Sequence, residues 1–554
     1  MASGQLRRLA IIVLCSCGFM LAVGCNNILE KDEQASAEAL DRHGGIYRKA
    51  LENEPHTLDP ALISSTYEAT VVQQVFDGLV QFDADLNVVP SIARSWRASP
   101  DGLVWTFELR PGVTFHNGRE VTAADFVYSF TRLVHPKTRS RNGWIFDRVQ
   151  GAKAFRAGKA ARIEGFQALD TYSLQIVLSQ PYAPFIRTLG MAPPKVVPQE
   201  DVERTDAPFG RHPVGTGAFR FKSWTAGQEI VLEANEAYFE GRPFLDELQY
   251  RLFPDGDHKT ILATFEAGHL EDSLILPQER QRLIDNATYR VFRKPLLVTL
   301  FLWCDLRQGP LSHRAVRQAI NLAINRDYIH STIRHHEHVQ ARGVLPPGMP
   351  GYNPELPDYV YDVTQAKALL AQAGYPEGKG LPPLELWNSV RSPTAQAEHE
   401  AIKNDLQQIG ITLELRQVSW QDFSAKILGK RPGAMYRAAW SADFPDPDNF
   451  LFLLFHSRSP NNYAHYHHAE VDALLQQAQG QVDYMRRLEL YRQAEKLIIA
   501  DVPTLNLVHR TFERLFQPYV RGIKVNALGE PYIPMKLIWL DKTQDTYLKA
   551  EKSE

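Results

Sequence analysis

Two prolines one residue apart, Pro445 and Pro447, close off a run of small and aromatic residues, Tyr436-Arg437-Ala438-Ala439-Trp440. The run holds no turn former and reads as a buried β-strand. Each proline fixes its own φ and pushes the preceding residue out of the helical region, so the chain from Asp443 onward leaves the strand as a stiff, extended connection. Asp443 then stands just past a strand end, where a carboxylate faces a cleft. Buried without a positive partner, a carboxylate is strongly disfavoured or neutralises. The partner is either internal, with Arg437 the obvious candidate, or brought by a ligand. These residues alone leave both open.

The start of the chain constrains its destination. Arg7 and Arg8 precede an apolar stretch from Leu9 to Val23, followed by Gly24-Cys25, which is the layout of a secretory signal over residues 1–24. The stretch is short of the roughly 20 apolar residues of a membrane span, so removal is expected. Of the four cysteines, Cys15 and Cys17 leave with the signal, and only Cys25 and Cys304 remain. An exported chain of this length needs no disulfide staples. Cys304, in the apolar run Leu296 to Trp303, is read as a core residue. Hydrophobic residues at 44% and charged residues at 23% are those of a large globular protein of several domains. A net charge of −3 gives no basis for nucleic-acid binding. Residues Asn26 to Arg42 are polar and read as a flexible tether.

In the body, Tyr47 to Leu51 reads as a strand, and Val71, Val72, Val75, Phe76 and Leu79 recur at helical spacing. Trp105 to Gly118 reads as strand, Pro-Gly turn, strand and Asn-Gly turn, ahead of a helix capped by Thr122. His116 in that passage reads as a turn residue. Gly215-Thr216-Gly217 lacks the spacing of a phosphate loop and reads as a passage between lobes. Val316, Ala319, Ile320 and Ala323 share one helical face, and a second helix from Asp362 stops at Gly374.

Several of these passages carry a resemblance. Trp440-Ser441-Ala442-Asp443-Phe444 resembles the W-x-A-D-[YF] stretch of the oligopeptide- and dipeptide-binding proteins that serve ABC importers, solute-binding family 5. Asn461-Asn462-Tyr463-Ala464-His465-Tyr466 resembles the asparagine pair and histidine-tyrosine run that follows it. Phe76-Asp77-Gly78-Leu79, the passage from Pro90 through Phe130, Gly215 to Phe219, and the helix before Arg326-Asp327 are similar to the family in the same order, over most of residues 45–540. Leu21-Ala22-Val23-Gly24-Cys25 resembles a lipobox, with Ala22 where leucine is usual.

The resemblance implies an α/β, three-lobed, periplasmic-binding-protein-like (Venus-flytrap) fold with a discontinuous base lobe. Residues 45–76, 197–297 and 509–554 would build the base, 77–196 an inserted second lobe, and 298–508 a clamp. It implies an extracytoplasmic receptor, in the periplasm or on the outer face of the cell membrane, that captures short peptides and delivers them to an ABC permease complex in the inner membrane. A monomer without cofactor or metal is expected, with residues 25–44 as lipidated N-terminus and tether. Asp443 would pair with the peptide α-ammonium beside Trp440. Arg437 would meet a carboxylate, and Trp420 would lie near ligand side chains. Trp144, close to the aligned position at Asn142, would replace the family's second-lobe aromatic, and Arg391 would replace a histidine.

Two rival classes exist. A metal complex or haem, bound by some family members, would look to His335, His336 and His338 or to His465, His467 and His468, but such loop clusters read first as solvated surface. A secreted peptidase would need a motif, and no HExxH, GxSxG or cysteine-histidine pairing occurs. If Cys25 is acylated, labelled fatty acid enters the wild-type protein in cells and does not enter Cys25→Ser; equal labelling of both removes the lipobox reading.

Overall fold

The computed structural model describes residues 42–204, 206–253, 256–286 and 288–552. The expected signal, Cys25 and the tether as far as residue 41 lie outside the described residues. Among the described residues no helix is long and apolar enough to cross a membrane.

Three bodies form around three sheets. The base sheet has four strands in the order Ile46–Leu51, Glu247–Leu252, Glu229–Ala234, Phe219–Thr225, the first pair parallel and the others antiparallel. Its apolar core draws on residues 47–76 and 192–252 and again on 512–540, so the base is assembled from separated stretches of chain. A second, antiparallel sheet of four strands runs Ala93–Ala98, Val104–Leu109, Ser173–Val177, Phe166–Ala168. The helix Ala123–Val134 belongs to the same body. Its amphipathic face sends Phe126, Phe130 and Leu133 into the core, while Asp125 takes bonds from the backbone N–H and hydroxyl of Thr122 at the N-terminus.

The third body is built on the largest sheet, in the order Asp272–Leu274, Thr504–Phe516, Arg290–Cys304, Met435–Ser441, Leu384–Asn388, Leu413–Gln417. Alternation along its strands separates two cores. Phe301, Trp303, Trp387 and Tyr436 face one side, and Leu300, Leu302, Cys304, Leu386 and Met435 face the other. Cys304 is fully buried and burial pushes its thiol up to about 12, as a packed, unreactive residue requires. This is the three-lobed α/β architecture that the sequence leads one to expect.

Two long strands connect base and clamp. Arg290–Cys304 and Thr504–Phe516 pair antiparallel along nearly their whole length, and the register breaks between Pro295 and Thr299. Pro295 has no N–H to give the ladder, which is where such a break belongs.

Several local features differ from their sequence readings. The helix from Thr66 ends at Val75, with Phe76 already extended. The stretch after Pro111-Gly112 forms only an isolated bridge, Thr114 to Glu120, because the two glycine turns at Gly112 and Gly118 leave too few residues for a strand. His116 does more than turn the chain. Its backbone N–H donates to the Gly215 carbonyl at 2.8 Å, its Nδ1 accepts from Gly215 N–H at 3.3 Å, and its Nε2 donates to the Gly217 carbonyl at 3.0 Å. Burial holds its pKa down at about 4, so the ring stays neutral in that tautomer.

The 215–217 passage is compressed against the end of the first helix. A Cβ on Gly217 would lie 2.4 Å from the Gln74 carbonyl oxygen, and one on Gly215 2.0 Å from that of Val75. Both contacts are backbone and cannot swing away. Gly217→Ala is expected to destabilise the protein by about 1–3 kcal/mol, as overpacking does. Gly480→Ala, where nothing lies within 4 Å, is the control; equal melting temperatures for the two variants in calorimetry would remove the packing account.

Candidate ligand-binding cleft

The strand Met435–Ser441 is a strand for the reasons its sequence announces, but only its first half is buried. Met435 and Tyr436 lie in the two cores, whereas Ala439 and Ser441 are exposed. Its pairing explains the difference. On one side Met435 to Ser441 pair with Arg290–Cys304; on the other only Met435 and Tyr436 meet Leu386 and Trp387. From Arg437 to Ser441 that second edge has no strand partner among the described residues.

Past Ser441 the chain does not run on extended as the two prolines lead one to expect: it bends through Asp443 to Asp446, where Asp446 N–H donates to the Phe444 carbonyl at 2.9 Å, and turns at Pro447 into the helix Asp448–Phe455. Asn449, in the first turn of that helix and fully buried, folds back onto the strand end. Its Oδ1 accepts from Asp443 N–H at 3.0 Å and from Trp440 Nε1 at 3.3 Å, and its Nδ2 donates to the Asp443 carboxylate at 3.2 Å. One amide thus sets Trp440 and Asp443 side by side. Asp443 is exposed and lines a cavity. Loss of solvation raises its carboxyl above the ordinary range, opposed only by the Asn449 bond. No cation forms an ion pair with it among the described residues. Arg437 does not: it turns to Glu398 at 3.5 Å, outside hydrogen-bond geometry. Glu398 is itself held by Arg334 at 2.5 Å.

The cavity, of about 570 Å³, lies between the second lobe and the clamp and is shared by Trp144, Trp440 and Asp443, with Phe452 and Asn461 beside them. Trp144 reaches it from the short turn Gly143–Phe146, while Asn142 is turned away to the Ile63 carbonyl at 2.8 Å. The remaining candidates stand apart. Trp420, 67% exposed, lies tilted against Phe423 with ring centroids 6.1 Å apart, and Arg391 is exposed in the loop after Leu384–Asn388. These two occupy neighbouring loops, linked by the Gln417 amide to the Val390 carbonyl at 3.2 Å. His335, His336, His465 and His467 are exposed, but His338 is buried, and among the described residues no three metal-ligating side chains are grouped to hold an ion.

The same segment carries contacts between the two lobes. Phe444 is buried in the apolar core of the second lobe. Asp446 pairs with Arg487 of the clamp at 2.7 Å and with Arg187 of the second lobe at 3.5 Å. Asp448 accepts from the Tyr182 hydroxyl at 2.8 Å, and Ala183 N–H donates to the Gln479 carbonyl at 2.9 Å. These contacts join the second lobe to the clamp beside the cavity. Asn449, Phe444 and Asp448 had no separate reading in the sequence; the Asp-Pro-Asp-Asn spacing after the strand was the available signal.

The model for bacterial extracellular solute-binding proteins, family 5 Middle, matches residues 87–462. The chain belongs to that family. As a family 5 protein it is 30% identical over 475 residues to the probable di/tripeptide-binding protein 5 of Pseudomonas aeruginosa, covering 81% of this chain and 87% of that one. It is 29% identical over 545 residues to heme-binding protein A of Haemophilus influenzae, covering 94% and 97%. The ABC transporter-associated periplasmic binding protein DppA of Helicobacter pylori, solved with the peptide STSA, superposes with a TM-score of 0.74 at 27% identity, covering 91% of this chain and all of that one.

A raised, unpaired carboxylate has a measurable signature. Asp443→Asn removes a charge that the fold does not neutralise, so the ligand-free variant is expected to melt above wild type at neutral pH. A carboxyl whose folded pKa is raised withdraws stability as the pH climbs through that pKa, so the variant's advantage is expected to vanish as the pH falls through it. A lower melting temperature for the variant at all pH values would show that Asp443 is structurally paired.

Proposed function

We propose that the protein is an extracytoplasmic receptor that captures short peptides by their free amine at Asp443 and hands them to an ABC permease. The observation that carries this reading is the desolvated Asp443 carboxylate, without a cation of its own, between Trp440 and Trp144 in a cavity that two lobes share. An incoming ammonium group supplies the missing charge and a charge-assisted hydrogen bond. The free edge of Met435–Ser441 offers backbone groups to an extended ligand, which is how strand addition holds a peptide irrespective of its side chains. The family's di/tripeptide-binding relative and the peptide-bound relative support the same class of ligand.

In this reading the base is residues 45–76, 197–297 and 509–554, the second lobe 77–196 and the clamp 298–508. Lipid attachment at Cys25 places the receptor beside its permease, and it acts as a monomer without catalysis. Arg437 serves a ligand carboxylate only if Glu398 yields it, and Trp420 and Arg391 serve longer ligands from the rim. Haem is the second reading, favoured by the haem-binding relative that matches nearly the whole chain.

The decisive experiment combines mutation with ligand chemistry in titration calorimetry. Asp443→Asn is expected to weaken binding of a free-amine tripeptide at least about tenfold, equivalent to roughly 1.4 kcal/mol. N-acetylation is expected to weaken wild-type binding similarly and the variant much less, since both changes remove one interaction. Additive losses would defeat the amine site. A Soret band on mixing with haem, competed by no peptide, would instead establish the second reading.

A further inference from the structure

The cavity is charged asymmetrically. On the clamp side its ionisable groups are Asp443 and Asp448, and on the second-lobe side Asp147, Arg148 and Lys153. They are not equally available to a ligand. Asp147 is taken up by Arg156 at 2.6 Å. Asp448 is satisfied by the hydroxyls of Tyr182 and Tyr491, at 2.8 and 3.1 Å, and by the Gln479 amide at 2.9 Å. The charges left facing the space are one carboxylate on the clamp and two cations across from it. Neither Arg148 nor Lys153 is ion-paired among the described residues. Arg148 lies over the Tyr182 ring at 4.1 Å and donates to Gln479 Oε1 at 3.0 Å, which occupies only one of its donors. Lys153, on the short helix Ala152–Arg156, is exposed, and its side chain makes no bond within the described chain.

We propose that Arg148 and Lys153 form an anion subsite on the second-lobe wall. The ligand class it selects is a short peptide whose carboxylate lies close to its free amine, supplied by an acidic residue among the first two or by the C-terminus of a dipeptide. This rests on Asp443 as the amine partner. It assigns the ligand's negative group to the second lobe, across the cleft from Arg437, which does not line this cavity and is tied to Glu398. A ligand carrying both charges bridges the two walls, so the same groups that recognise it also draw the lobes together.

Lys153 is the place to test this, because no bond within the described residues depends on its side chain, whereas Arg148 also holds Gln479. Titration calorimetry at low salt compares Glu-Ala-Ala with Gln-Ala-Ala, Ala-Glu-Ala with Ala-Gln-Ala, and Ala-Ala with its C-terminal amide, on wild type, Lys153→Met and Lys153→Glu. Wild type is expected to favour the charged member of at least one pair by about threefold or more, the scale of an ion pair in contact with water. That preference is expected to shrink with added salt, to fall in Lys153→Met and to fall further in Lys153→Glu. Which pair shows it identifies the source of the carboxylate. Equal affinities within every wild-type pair, or a preference unchanged in both variants, would overturn the subsite. Acetylated peptides that bind as well as free ones indict the amine reading instead, and a series that binds nowhere removes both.

Discussion

A bent run held stiff by Pro445 and Pro447 ties the cavity to the contacts between the lobes. Asp443 lines the space between the lobes, Phe444 is set in the apolar core of the second lobe, and Asp446 and Asp448 meet Arg187 and Tyr182. These contacts sit within six residues of chain that proline keeps from rearranging. If the ligand's ammonium neutralises Asp443, it does so one residue from the side chain that anchors closure. A closed state that encloses an uncompensated carboxylate is disfavoured when empty and relieved when filled, which gives the ligand the differential affinity that a conformational shift requires.

The clamp also keeps charge in reserve on the other face of the same strand. Glu398 lies between Arg334 and Arg437, so two guanidinium groups share one buried carboxylate. Burial, ahead of the pull of Glu398 and the repulsion of Arg334, holds the Arg437 pKa below its ordinary value. Such a triad fixes the helix Pro393–Gln407 against the sheet, and removing Glu398 would leave like charges buried together.

Much of this was legible locally. The strand, its proline break, the glycine turns and the burial of Cys304 follow from residue type and spacing, because the forces that decide them act within a few residues. Parity along a strand also separates Arg437 from Trp440. What the sequence withheld depends on contacts across long stretches of chain. His116 finds its carbonyl at Gly217, about a hundred residues on. Asn449 bonds Trp440 and Asp443 only because the chain doubles back after the prolines. Trp420 and Arg391 follow strands that run parallel to Met435–Ser441 and so leave the same end of the sheet as Asp443, yet neither lines the cavity that holds it, since sharing an end does not bring loops of different strands to one space.

The two strands that pass from base to clamp have a bearing on how the molecule comes apart. Arg290–Cys304 and Thr504–Phe516 each contribute one half to either body, with the register break at Pro295 between them. A bend at that break moves the clamp as a whole without parting the ladder on either side. Loss of the ladder, in contrast, removes a central pair of strands from the clamp sheet and exposes Phe512 and Phe516 of the base core together. Base and clamp therefore share a single cooperative unit for unfolding while remaining separate bodies for motion, and neither can be excised as an independent piece of chain.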